Sequence, residues 1–198
     1  MLYHAAGVLP YCAGHVLLGL EARGWSGFAG TALAGEAPCE TALREFHKET
    51  AQLFAPCEGS PDLDLTTATC IVTTTPKSRV FHLFLQPFTS TGLGPGNILG
   101  TGNRLGPCRH VDDAFQFKRH RTSMRTEREK LRLRWVPVDE IAPLHLSPSF
   151  RADMPEIVRA LRAEAAVTGA HWTGETPAKP VEVDRVLTRA RAGSTARD

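Results

Sequence analysis

The chain of 198 residues lacks the features that mark membrane proteins and proteins that coat nucleic acids. No apolar run approaches the ~20 residues that a membrane-spanning helix needs, so we expect no membrane partner. The 23 basic and 21 acidic residues leave a net charge of +2, which predicts no strong bulk attraction to nucleic acid. The amino-terminal apolar segment has no basic start and is interrupted at Pro10 and Gly14. That pattern predicts strands rather than a signal peptide.

The five cysteines are an odd number, with neither close pairing nor the spacing of a zinc site. They are typical of reduced thiols, and they predict a cytoplasmic protein, with the nucleus as an alternative. The length favours one domain with extensions, and the chain contains no repeats.

Segments with β-branched or alternating apolar residues predict strands around a central helix. Residues 4–9 and 15–20 predict a hairpin, and residues 66–75 and 79–88 predict two further strands. A last strand surrounds Trp135, where Leu131 and Leu133 alternate with Lys130 and Arg132, so we expect the leucines to face inward. Residues 149–166 predict a closing helix with an apolar stripe.

The segment 30–51, GTALAGEAPCETALREFHKETA, is the most informative part of the chain. Pro38 suits the first turn of a helix, which we expect to run from about residue 39 to residue 50. Glu45 and Glu49 are four positions apart and therefore lie on one face of that helix. Paired carboxylates suit a hard divalent cation, and a glycine loop allows close approach of a substrate. The residues themselves predict a divalent-metal site beside a phosphate pocket.

The same segment resembles the Nudix box of the Nudix hydrolase superfamily. The glycine, the glutamates, the arginine and the apolar residue of that box have matches at the right spacing, namely Gly30, Glu36, Arg44, Glu45, Phe46 and Glu49. A second similarity lies at 127–141, where an acidic loop precedes a strand that ends in Trp-Val-Pro and an Asp-Glu pair follows. The resemblance implies an α/β fold, the Nudix α/β/α sandwich with a mixed β-sheet.

Three positions depart from the box: Lys48 replaces a glutamate, Ala51 replaces a glycine and Gln52 replaces an apolar residue. Lys48 is the most consequential, because an ammonium repels a metal ion and cannot ligate it while protonated.

The resemblance also implies roles for single residues. Glu45 and Glu49 would ligate Mg²⁺ or Mn²⁺, and Arg44 would orient the glutamates. Glu129 or Glu127 would serve as general base or additional ligand, with an exposed glutamate paired to a neighbouring arginine as the alternative. Phosphate contacts would come from three residues: Arg23, Gly30 and Lys48.

Residues 89–128 form an insertion, first rich in glycine and proline and then basic. The positive charge of residues Lys118 to Arg125, beside Phe115 and Phe117, suits RNA phosphates and bases. The simpler interpretation, which we favour, is a mobile, solvated loop.

We therefore expect a Nudix domain at 1–166, a largely disordered tail at 167–198, and a monomer or homodimer. The expected function is metal-dependent pyrophosphohydrolysis of a nucleoside diphosphate-linked compound. One alternative is a catalytically impaired domain that binds a nucleotide, RNA or a protein partner, because Lys48 weakens the metal site. Another is a hydrolase of RNA 5′ ends or caps, which would use the basic insertion.

Overall fold

The computed structural model of the protein describes residues 3–54, 63–74, 79–88, 107–121 and 130–168. These ranges contain seven strands: β1 (Tyr3–Cys12), β2 (His15–Glu21), β3 (Gly24–Ser26), β4 (Phe28–Thr31), β5 (Thr69–Thr74), β6 (Val80–Pro87) and β7 (Arg132–Pro137). They also contain three α-helices, α1 (Pro38–Glu49), α2 (Pro107–Arg121) and α3 (Pro148–Thr168), and a 3₁₀ turn at Val138–Glu140.

Strand β1 is the centre of a mixed sheet. It pairs in parallel with β6 and antiparallel with β2 and β4. Residues Ala5 to Val8 pair with β4, whereas Tyr11 and Cys12 pair with β2, so β1 changes partner along its length. The outer strands β3 and β7 pair with β2, and β5 pairs with β6. This arrangement places β4 beside β1 and directly before the loop that leads into α1.

Helices cover both faces of the sheet, because side chains along a strand point alternately to opposite faces. On one face, α1 and α2 contribute Phe46 and Phe115 to a core that also contains Phe28 and Trp135. On the other face, α3 packs its apolar stripe, including Ile157 and Leu161, on strand residues such as Leu9 and Val16. The prediction of an α/β/α sandwich with a mixed β-sheet is therefore confirmed.

No helix in the described part of the chain is long and apolar enough to cross a membrane.

The prediction of a solvated loop was wrong for residues 107–121, which form α2. Phe115 and Val111 are fully buried, because their spacing of four places both on the face toward β7. The carboxylate of Asp112 accepts the N–H of Leu133 at 2.9 Å and Nε of Arg132 at 2.9 Å. The surrounding basic residues concealed this apolar stripe in the sequence.

The inward and outward assignment before β7 was also wrong. Leu131 is 43% exposed, whereas Lys130 is only 2% exposed. The regular alternation begins inside β7, at Leu133, and residues 130 and 131 precede the strand. The polar partners that make a buried ammonium tolerable come from β2, β3 and the end of α1, which are distant in sequence.

Two residues with left-handed backbone follow the end of helix α1, Ala51 at φ 51° and Gln52 at φ 60°. Residues other than glycine rarely adopt this conformation, because their Cβ is too close to the backbone. Ala51 is buried, whereas Gln52 is exposed.

We expect Gln52→Gly to raise the free energy of unfolding by about 0.5–1 kcal/mol, measured by urea denaturation, since glycine relieves the backbone strain. Ala51→Gly should gain less, because it also removes a buried methyl group. Asp113→Gly in α2 is the control and should destabilise the protein, because its position is helical. A Gln52→Gly variant less stable than the native protein would contradict this expectation.

Candidate active site

Glu36 joins the loop after β4 to helix α1. Its Oε1 accepts Nε of Arg44 at 2.6 Å, and its Oε2 accepts Nη2 of Arg44 at 2.8 Å. The same carboxylate accepts the N–H of Leu33 at 3.0 Å and the hydroxyl of Thr41 at 2.6 Å. Arg44 also donates to the carbonyl oxygen of Thr31 at 3.0 Å. These bonds fasten both ends of the loop to the helix.

This network keeps both of its ionisable members charged. Hydrogen bonds from Arg44, followed by those from Thr41 and Leu33, lower the pKa of Glu36 to about 2. The hydrogen bond with Glu36 in turn raises the pKa of Arg44. Arg44 is therefore a permanent cation at the rim of the site.

Glu45 is a buried carboxylate held between Arg44 and Lys48. Nη1 of Arg44 donates to its Oε1, and Nζ of Lys48 lies 2.5 Å from its Oε2. The contact with Lys48 is an ion pair, which compensates the charge on Oε2. A Cβ added at Gly30 would collide with the Glu45 carboxyl group. Glycine at position 30 is therefore required for Glu45 to lie against β4.

Glu49 is the second buried carboxylate, with 2% of its surface exposed. Its Oε2 accepts the N–H of Ala29 at 3.0 Å, and its Oε1 lies 3.7 Å from Nζ of Lys130. The helical spacing of four thus presents Glu45 and Glu49 to consecutive residues of β4. The structure brings together the two carboxylates that the sequence paired.

Lys130 is the residue of this site that the sequence analysis missed. Its Nζ lies on the inner side of Glu49, whereas Lys48 lies beside Glu45 with 27% of its side chain exposed. One signal for the buried lysine was present in the sequence. Gly19 interrupts the apolar run of β2, and a Cβ there would lie 2.7 Å from Cδ of Lys130.

A divalent cation fits the residues at Glu45. The Oε2 atom is a buried carboxylate oxygen, and its counter-charge, Lys48, is carried on a long flexible stem that can move aside. Among the described residues no group of three or more acidic, histidine or cysteine side chains could hold a metal. Mg²⁺ needs no such group, since one or two carboxylates and the phosphates of a substrate commonly hold it.

The other predicted site residues lie apart from this centre or outside the described residues. Arg23 is exposed in the turn between β2 and β3. Arg125, Glu127 and Glu129 are outside the described ranges. In α2, Nζ of Lys118 donates to the carbonyl oxygen of Gln52 at 2.8 Å, and Phe117 is 63% exposed.

No protein-family model and no curated protein matches the chain. Solved structures with a related fold include a Nudix hydrolase, RenU, from M. smegmatis, with 20% identity, 81% of this chain and 86% of that chain covered, and a TM-score of 0.49. A bifunctional NMN adenylyltransferase/ADP-ribose pyrophosphatase from Francisella tularensis, complexed with AMP and a Mn ion, has 14% identity and a TM-score of 0.47. That match covers 82% of this chain and 42% of the Francisella chain.

An Ap4A hydrolase from C. elegans, in a binary complex, has 15% identity, with 84% of this chain and 99% of that chain covered and a TM-score of 0.42. All three TM-scores are below 0.5, so we base the functional proposal on the side chains of this chain.

We expect the contribution of Glu36 to stability to depend on pH. Because its folded pKa is lowered from 4.5 to about 2, its stabilisation is present above pH 4.5 and is lost as the pH falls toward 2. The urea midpoint of the native protein should therefore exceed that of Glu36→Gln at pH 7 and converge with it near pH 2. A constant difference across this range would contradict the assignment.

Proposed function

We propose that this chain is a Nudix-type pyrophosphohydrolase that cleaves the diphosphate bond of a nucleoside diphosphate-linked compound with Mg²⁺ or Mn²⁺. The box residues Glu36, Arg44, Glu45 and Glu49 support this proposal, because Arg44 hydrogen-bonds to both Glu36 and Glu45, and Glu45 and Glu49 lie against neighbouring residues of β4. Their types and spacing resemble those of the Nudix box.

The observation that carries the proposal is the state of the Glu45 carboxylate. It is 4% exposed, Arg44 orients one of its oxygens, and Nζ of Lys48 lies 2.5 Å from the other. A buried carboxylate is costly unless charges or donors compensate it, and here one of the two compensating charges is on a long, partly exposed side chain. When Lys48 moves to a phosphate, the oxygen that it leaves is suited to a cation that arrives with the substrate.

A divalent cation bound at Glu45 and Glu49 would polarise the phosphoryl oxygens and lower the pKa of a bound water molecule. Side chains of the protein position the carboxylate that would hold this cation. Arg44 holds the Glu45 carboxylate in one orientation, and Glu36 holds Arg44, so Glu45 does not need to reorganise when charge develops on the phosphate.

In the proposed reaction Lys48 contacts Glu45 before the substrate binds and a substrate phosphate afterwards. Without substrate, its ammonium neutralises the buried Glu45 carboxylate. With substrate, the flexible stem allows the ammonium to move from the carboxylate to a phosphate oxygen. Arg23 and the backbone around Gly30 are the further phosphate contacts that we propose, and Glu129 or Glu127 is the proposed base or additional ligand.

We expect the native protein to hydrolyse at least one member of a panel of nucleoside triphosphates, ADP-ribose, dinucleoside polyphosphates and capped RNA, with Mg²⁺ or Mn²⁺. Glu45→Gln should lower kcat by 10²-fold or more, on the order expected for a lost charged group at a reaction centre. The rates are measured from the nucleotide products after chromatographic separation. Native turnover that persists in Glu45→Gln, or that needs no divalent cation, would contradict the proposal.

Lys48→Glu should lower the Mn²⁺ concentration for half-maximal rate by roughly tenfold, because it replaces a repelled charge by a ligand. The control is Arg162→Glu, which makes the same change of charge at an exposed position of α3. An equal shift in both variants would mean a general charge effect rather than a change in the metal site.

Nucleotide binding without turnover is the second candidate function, and the ion contact between Lys48 and Glu45 favours it. In that case the native protein binds a nucleotide of the panel in calorimetry and releases no product, whereas Lys48→Glu becomes active. Comparison of the native protein with Lys48→Glu therefore distinguishes a hydrolase from a binding domain.

A further inference from the structure

The ammonium of Lys130 lies within a shell of four oxygen atoms. Its Nζ is 2.6 Å from Oγ of Ser26 and 2.9 Å from the carbonyl oxygen of Gly27. Two carboxylate oxygens complete the shell, Oε1 of Glu21 at 3.6 Å and Oε1 of Glu49 at 3.7 Å. Two carboxylates, a hydroxyl and a carbonyl form the kind of ligand set that hard cations take in proteins.

The surroundings are built to admit the side chain of this lysine. The residue is 2% exposed, and its stem passes over Gly19, where a Cβ would come within 2.7 Å of Cδ. The ring of Phe28 lies under the ammonium, with 5.7 Å from Nζ to the ring centroid. The hydroxyl of Ser26 donates to Glu21 at 2.7 Å, which leaves a lone pair of Oγ to accept from Nζ.

The ammonium of Lys130 also compensates the buried carboxylate of Glu49. A fully buried carboxylate is costly unless a positive charge or several donors compensate it, and the same holds for a buried ammonium. Glu49 and Lys130 are both 2% exposed, and each compensates the other. Lys48 differs from Lys130, because 27% of its side chain is exposed and its movement needs no unfolding.

We propose that the oxygen shell of Glu21, Ser26, Gly27 and Glu49 is a cation site, and that the ammonium of Lys130 permanently occupies it in place of a metal ion. The protein then supplies one cation of the site from its own chain, and only the divalent cation proposed above, at Glu45 and Glu49, is exchangeable. Lys130 acts through Glu49, so it is a positioning residue and not a catalytic residue.

The proposal rests on the proposed function only in that an exchangeable cation binds at Glu45. Its test uses no substrate, so a protein that hydrolyses nothing on the panel can still confirm it. A hydrolase can equally well lack this internal site, and the two failures are therefore distinguishable.

The test compares Lys130→Ala, which empties the shell, with Lys130→Met, which removes the charge and fills the space with an apolar side chain. Thermal unfolding is followed in EDTA and with Mn²⁺ alone, and calorimetry counts the bound Mn²⁺ ions. In EDTA both variants should lose roughly 10 °C in Tm, because each leaves Glu49 buried without this counter-charge. Arg162→Ala removes an exposed cation and serves as the control, with little expected change.

Mn²⁺ should restore most of the lost Tm in Lys130→Ala, which should bind one more Mn²⁺ ion per chain than the native protein. It should restore little in Lys130→Met, where no space remains, or in the double variant Lys130→Ala/Glu49→Gln, where a carboxylate ligand is missing. If Lys130→Ala does not fold in EDTA, refolding in Mn²⁺ is the expected result.

An unchanged Mn²⁺ count in Lys130→Ala, or failure to fold with Mn²⁺ as well as in EDTA, would overturn the proposal. Equal restoration of Lys130→Ala and Lys130→Met by Mn²⁺ would also overturn it, because the ion would then bind elsewhere.

Discussion

Two carboxylates buried side by side, Glu45 and Glu49, are the constraint on which the site depends. Removing such groups from water costs several kcal/mol for each ion unless charges or hydrogen bonds replace the water. Four groups offset this cost: Arg44 and Lys48 compensate Glu45, and the Ala29 N–H and Lys130 compensate Glu49. Close packing of α1 on β4, which Gly30 permits, makes the arrangement possible.

Lys48 and Lys130, the two lysines of the site, differ in how far they are buried. Lys48 is partly exposed on a flexible stem, and in the proposed function its ammonium moves from the carboxylate to a phosphate oxygen. Lys130 is buried between Gly19 of β2 and the ring of Phe28, so its charge stays in the folded protein. The two carboxylates thus have one partly exposed and one buried lysine as counter-charges.

Local patterns predicted most of the fold. Pro38 at the first turn and the apolar spacing around Phe46 predicted α1 nearly to the residue, and the β-branched segments predicted β5 and β6 within a few residues. The prediction was wrong for α2 and for Lys130, for two different reasons. In α2, the apolar residues Val111 and Phe115 stand among charged ones, which hid the apolar stripe. At Lys130, the compensating oxygens come from residues between positions 21 and 49, which only the fold brings close.

The sequence by itself determined the pairing of Glu45 with Glu49, because the helical repeat alone places residues four apart on one face. The sequence also showed that a glycine stands at position 30 and that Lys48 stands where the Nudix box, which this segment resembles, has a glutamate. Only the tertiary structure decided which positive charges meet these carboxylates. Lys130 reaches Glu49 because β7 lies beside β2 and α1 lies on β4, and no local pattern encodes a contact between side chains that chain folding alone brings together.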